Sequence, residues 1–314
     1  MKKMDFITYL GIKKWFIQNA RQLELCLWKY FFEDGSQNEV LEVLALYQND
    51  DGGFGQLLEP DNWNPNSTPS TTLFALNILD SIGFYDMKHA IYQGIIRYLS
   101  SGKNRKEYGW MFSVPENDNY PHAPWWGYKE ESNLDESVGI TAEFSAFILR
   151  YVDQRSDLYQ GALKFAKNCI DRMMSAETHG DMGIGGYKKL VEVIFECKIS
   201  GYDYEALEQR MKDLITKGIE HDINKWKYYG YRPSDYIPNP ESKYYEENRD
   251  IVEVELEFLI ETKPENDVWP ITWTWFENNE KYAKEFAVSE VRWKGIKAIE
   301  KVRFLKSFGR IRLT

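Results

Sequence analysis

The 314 residues carry a formal net charge of −10, which excludes broad binding to nucleic acid or to anionic membranes, whose phosphates repel such a surface. Hydrophobic residues make up 43% of the chain and aromatics 16%, enough for a sizeable core and for a lined cavity. Cys26, Cys169 and Cys197 are odd in number and never spaced CxxC, which excludes a disulfide framework or a cysteine-rich zinc site and predicts reduced, buried thiols.

The N-terminus opens Met-Lys-Lys, but Lys13 and Lys14 soon interrupt its apolar residues. No signal-peptide core and no membrane-length apolar run is present, and the expected location is the cytoplasm. Apolar residues at helical spacing predict one long helix or two abutting ones from Asp5 to Phe32, closed near Gly35. Ser36-Gln-Asn-Glu39 has the form of a capping box and starts a helix that runs to about Gln48. Gly52 and Gly53 then turn the chain sharply, and Phe54 predicts an elbow tucked into a core. Pro69 sits where a helix's first turn tolerates proline, and that helix stops at Gly83.

A second hairpin starts near Met87 with Ile91, Ile95, Ile96 and Leu99 on one face and Gly102 after its end. A long connection, Lys103 to Glu136, carries Tyr108-Gly-Trp-Met-Phe112 where the first hairpin has Gly-Gly-Phe, and a helix resumes over Val138 to Val152. A third hairpin joins Asp157–Met174 to Tyr187–Ser200 through the elbow Thr178–Tyr187. Asp203 caps a fourth helix, which is followed by a tyrosine- and proline-rich excursion over Trp226–Arg249. Helix Ile251–Thr262, a tryptophan-rich elbow Asn266–Phe276 and a closing helix Tyr282–Phe308 complete the chain.

The segment Gln48-Asn-Asp-Asp-Gly-Gly-Phe-Gly55, followed by the helix from Ser70 to Gly83, resembles the repeat of prenyltransferase β subunits and of squalene and other terpenoid cyclases. The resemblance covers about forty residues. It implies an all-α fold, an α/α toroid of about five helical hairpins in two concentric layers, and residues 1–314 read as one such domain with first and last helices meeting. It also implies an isoprenoid or other largely apolar ligand in a central cavity. The family's catalytic signatures are missing: no Asp-x-Cys supplies zinc ligands and no DxDD supplies a proton donor. His89, His122, His179 and His221 form no HxxxH or HxxE pair, so neither a metal nor another cofactor is expected. Neither a Gly-x-Gly-x-x-Gly, nor a P-loop, nor a Gly-x-Ser-x-Gly is present.

Leu58-Glu-Pro-Asp-Asn-Trp63 stands between the first elbow and its inner helix, where the toroid brings loops to the cavity mouth. Glu59 and Asp61 are the candidate acid–base pair, with Trp63 beside them. Trp125, Trp126 and Tyr128 precede Glu130 and Asp135 ahead of the next inner helix and supply candidate ligand-binding faces and charges. Three readings stay open: an isoprenoid-type enzyme, a carbohydrate-active (α/α) barrel working with paired carboxylates, and a non-catalytic toroid that binds a ligand or protein. The cavity lining discriminates them, aliphatic walls favouring the first and paired carboxylates among aromatic rings the second.

Overall fold

The computed structural model describes residues 2–180 and 182–312; Asp181, in the expected third elbow, lies outside them. Among the described residues the chain is all-α, with thirteen α-helices and a single two-stranded hairpin. In chain order the helices are α1 (Phe6–Asn19), α2 (Gln22–Phe32), α3 (Gln37–Ala45), α4 (Pro69–Ser81), α5 (Ala90–Ser101), α6 (Glu130–Tyr151) and α7 (Asp157–Ser175). Then follow α8 (Gly183–Glu196), α9 (Tyr204–Gly218), α10 (Pro233–Tyr236), α11 (Arg249–Thr262), α12 (Asn278–Lys281) and α13 (Ala283–Ser307). Strand β1 (Arg105–Lys106) pairs antiparallel with β2 (Gly109–Trp110).

Local chemistry sets most of these boundaries. The Ser36 hydroxyl accepts from the Glu39 amide at 3.2 Å while the Glu39 carboxylate accepts from the Ser36 amide at 3.1 Å, so two orphan donors at the start of α3 are satisfied reciprocally. Thr68 caps α4 ahead of Pro69, and Asp203 accepts from Ala206 at 3.1 Å to start α9. Gly102 closes α5 in the left-handed region at φ 73°.

Two compact units result. The first gathers the residues up to Leu44, Ile215–Thr274 and those from Ala283 on; the second holds Ala45–Leu214 and Trp275–Tyr282. In the first unit α13 packs on α1, α2 and α11, and the chain ends join: the Met4 amide donates to the Arg310 carbonyl at 2.8 Å and the Arg312 amide to the Met4 carbonyl at 2.9 Å. First and last helices do meet. In the second unit α4, α6 and α8 lie side by side, with α7 against both α6 and α8.

The first two elbows share one device. Phe54, fully buried after Gly53, donates its amide to the Thr72 hydroxyl on α4 at 3.0 Å. Trp110, fully buried after Gly109, donates its amide to the Thr141 hydroxyl on α6 at 3.1 Å. Each elbow thus ties an aromatic residue's backbone to a threonine on the following helix, which satisfies a buried donor and fixes the loop's depth.

Three expectations need correction. Helix α6 begins at Glu130, so Glu130 and Asp135 belong to its first turns and not to the loop before it. Gly183, Gly185 and Gly186 are helical at the start of α8, where a loop was expected: a Cβ on Gly186 would stand 2.5 Å from the Gly139 carbonyl oxygen, so glycine here permits α6 and α8 to touch. Cys26 and Cys169 are buried free thiols, but Cys197 is exposed at the end of α8.

Candidate functional site

Loop residues 59–63 and 121–126 of the second unit come together as a short two-stranded crossing. The Trp63 amide donates to the Pro121 carbonyl at 3.0 Å and the Ala123 amide to the Asp61 carbonyl at 2.9 Å. Asn117 fastens the two loops. Its side-chain oxygen accepts from Asn64 at 3.0 Å and Asn62 at 3.3 Å, and its amide donates to the Trp126 carbonyl at 2.9 Å. Asp61 is 1% exposed and accepts from the Trp275 indole at 2.7 Å, while Asn278 donates to the His122 carbonyl at 2.8 Å.

Glu59 lies in the same cluster, 4% exposed. Burial and the neighbouring Asp61 charge hold its carboxyl well above the usual range, against the pull of backbone donors at Asp61 and Asn62 and of the Trp126 indole. Its Oε2 and the Trp126 Nε1 nevertheless make no hydrogen bond of ordinary geometry among the described residues. Trp126 is buried and stacked on Phe112 at 4.7 Å. The remaining predicted residues face outward or half outward. Trp63 and Trp125 are half-buried, Tyr128 is half-buried and donates to the exposed Glu130, and the exposed Asp135 pairs with Arg172 at 3.0 Å. This cluster is a closed polar knot, well made for holding loops.

An open cleft lies in the first unit. A cleft of about 520 Å³ is bounded by the loop leading into α10, by α11, by the 270–273 segment and by one face of α13. Glu255 forms its floor at 1% exposure, with its carboxylate accepting from the Ser234 amide and hydroxyl, both at 2.8 Å. Burial and the Asp235 charge push the Glu255 carboxyl up to about 7, although the Ser234 donors and Arg232 pull the other way. Asp235 opens onto the cleft, and crowding by protein atoms raises its carboxyl despite Lys297; the sealed Glu255 is the stronger proton carrier of the two. Lys297 is held charged by Glu300, 2.8 Å away, and by Asp235. Burial, Arg232 and Lys297 bring the Lys301 ammonium down to about 7. Tyr229, Tyr231 and Trp273 complete the wall, Tyr229 meeting Trp273 edge-to-face at 6.1 Å. Such a cleft can stack a ring, bind hydroxyls and exchange a proton near neutral pH.

Of these residues the sequence pointed to Trp273 alone, in the tryptophan-rich elbow, where alternate spacing predicts packing and not a site. A local signal exists at Glu255, which shares a helical stripe with the buried Val252, Leu256 and Leu259 and is thereby a carboxylate aimed into a core. A smaller cavity of about 180 Å³ in the second unit lies between α4, α6 and α8, where Lys189 bridges Glu143 at 2.8 Å and Asn77. Among the described residues no group of three or more His, Cys, Asp or Glu is placed to hold a metal, and no helix is long and apolar enough to cross a membrane. Comparison with protein-family models, with curated proteins and with solved structures gave no match.

Proposed function

We propose that this chain is a helical-hairpin protein of the α/α toroid kind that binds a polar, hydroxyl-rich ligand of the sugar class in the first unit's cleft, with Glu255 as its proton-transfer group. The carrying observation is a sealed carboxylic acid beside a second, open carboxylate in a cleft walled by Tyr229, Tyr231 and Trp273. The aromatic rings of the wall offer apolar faces to a pyranose, while Asp235 and Glu300 accept from its hydroxyls. An isoprenoid chain gains little from such walls, because each charged group facing it loses water without gaining a partner.

The toroid reading is supported by the repeated aromatic-to-threonine hydrogen bond, Phe54 to Thr72 and Trp110 to Thr141, and by the row α4, α6, α8. The same repeat supports the second reading, an isoprenoid ligand, through the family it resembles. Thermal-shift measurements with a panel of mono- and oligosaccharides and of isoprenoid diphosphates separate the two. The first reading expects stabilisation by members of the saccharide set, lost in Asp235→Asn, with Glu255→Gln retaining binding but not turnover. Stabilisation by the isoprenoid set alone overturns it.

A further inference from the structure

Four cations line the cleft, and they differ in what holds them. Lys297 is paired with Glu300 at 2.8 Å. Arg232 donates to the Trp226 carbonyl and lays its guanidinium over the Trp226 and Phe258 rings, at 5.6 and 5.3 Å. Arg303 stands 4.0 Å from the Phe31 ring centroid. Lys301 is different. Among the described residues no hydrogen bond or ion pair engages its ammonium, whose nearest aromatic companion is the Trp269 ring at 5.5 Å. It also sits within reach of the fields of Arg232 and Lys297, both of which disfavour its charge.

A lysine that feels two other cations and has only a ring contact to offset them is costly in a free protein, and an apolar or neutral ligand does little to relieve it. An anion relieves it at once, by supplying the missing acceptor and by screening three like charges together. Glu300 and Glu255 offset part of this repulsion, but Glu300 pairs with Lys297 and Glu255 accepts from Ser234, and neither forms an ion pair with Lys301.

We propose that the ligand of this cleft carries an anionic oxygen group, a phosphate or a carboxylate, and that Lys301 is its seat, with Arg232 as the flanking cation. The proposal rests on the reading of the cleft as a polar-ligand site. It narrows the ligand class to acidic or phosphorylated sugars and similar compounds. If Lys301 serves only to lay its stem across Trp269, methionine replaces it in every assay.

Isothermal titration calorimetry at pH 7 and low ionic strength tests this with three probes: inorganic phosphate, citrate and a neutral hexose. Wild-type protein is expected to bind one of the two anions, Lys301→Met to weaken that anion by about tenfold or more, and Lys301→Arg to hold it within about threefold. The tighter anion identifies the source of the charge. Hexose binding by the wild type reports separately on whether the cleft takes a neutral polar ligand. Failure of both anions, or equal anion binding by wild type and Lys301→Met, overturns the proposal; if the hexose still binds, the polar-ligand reading stands without it. Should Lys301→Met not fold, acetic anhydride labelling of the wild type decides the matter by mass spectrometry. Protection of Lys301 by the anion supports the proposal, and unchanged labelling refutes it.

Discussion

At Glu255 two demands oppose each other. The Ser234 amide and hydroxyl favour the carboxylate, whereas burial and Asp235 favour the acid, and the balance lies at about 7. An unfolded glutamate titrates near 4.3, so between about that pH and 7 the folded state binds the extra proton. Stability from this group is therefore fully present below the unfolded value and is lost as pH rises to about 7, a cost on the order of 3 kcal/mol above it. Glutamine fits the same place, its oxygen accepting from the Ser234 amide and its amide donating to the Ser234 hydroxyl. We predict that Glu255→Gln is more stable than wild type by about 2 kcal/mol at pH 8 and gains nothing at pH 4, read from urea denaturation at both pH values. A loss of stability at pH 8 would show that the glutamate is ionised and well solvated. Natural proteins keep such a group where function needs it, at the expense of stability.

At the scale of elements, the elbow Gln48–Gly55 shows how much a short motif can fix. Gly52 has φ 90°, and a Cβ there would stand 2.1 Å from the Gly94 carbonyl oxygen on α5. Gln48 spans the same contact, donating to the carbonyls of Gly52 and Ile91, both at 2.9 Å. Gly52→Ala should cost about 3 kcal/mol by chemical denaturation, combining an unfavourable backbone conformation with a backbone clash; a change below about 1 kcal/mol would mean that the elbow is not held against α5. Helix starts at Ser36, Pro69 and Asp203 and the stop at Gly102 were legible because a cap is a local event. Two features were not. Helix α6 begins eight residues before the expected Val138, with no side-chain cap at Lys129 to announce it. The glycines of α8 read as a loop by propensity, yet contact with Gly139 on α6 makes them helical, a tertiary demand that overrides the local one.

At the scale of the molecule, the all-helical class was legible from periodicity, whereas the meeting of the end helices was only what the family resemblance implied. Of the candidate site, the sequence placed loops 59–63 and 121–126 each ahead of a helix at a cavity mouth; the hydrogen bonds that join them were not legible there. It did not carry the cleft. Arg232, Glu255, Trp273 and Lys301 are spread over some seventy positions of the chain, in the stretch where repeat spacing gives no register. Trp273 left a trace in the tryptophan-rich elbow, and Glu255 one as a carboxylate on an apolar stripe.

Ligand is expected in the first unit's cleft, and hydrogen–deuterium exchange with the tightest compound from the saccharide panel is the direct test. The predicted result is slower exchange over residues 229–239 and 270–273 and in α11 and α13 around Glu255 and Lys301, with α4, α6 and α8 unchanged. Protection centred instead on α4, α6 and α8 around Glu143 and Lys189, with the cleft segments exchanging as in the free protein, would contradict it.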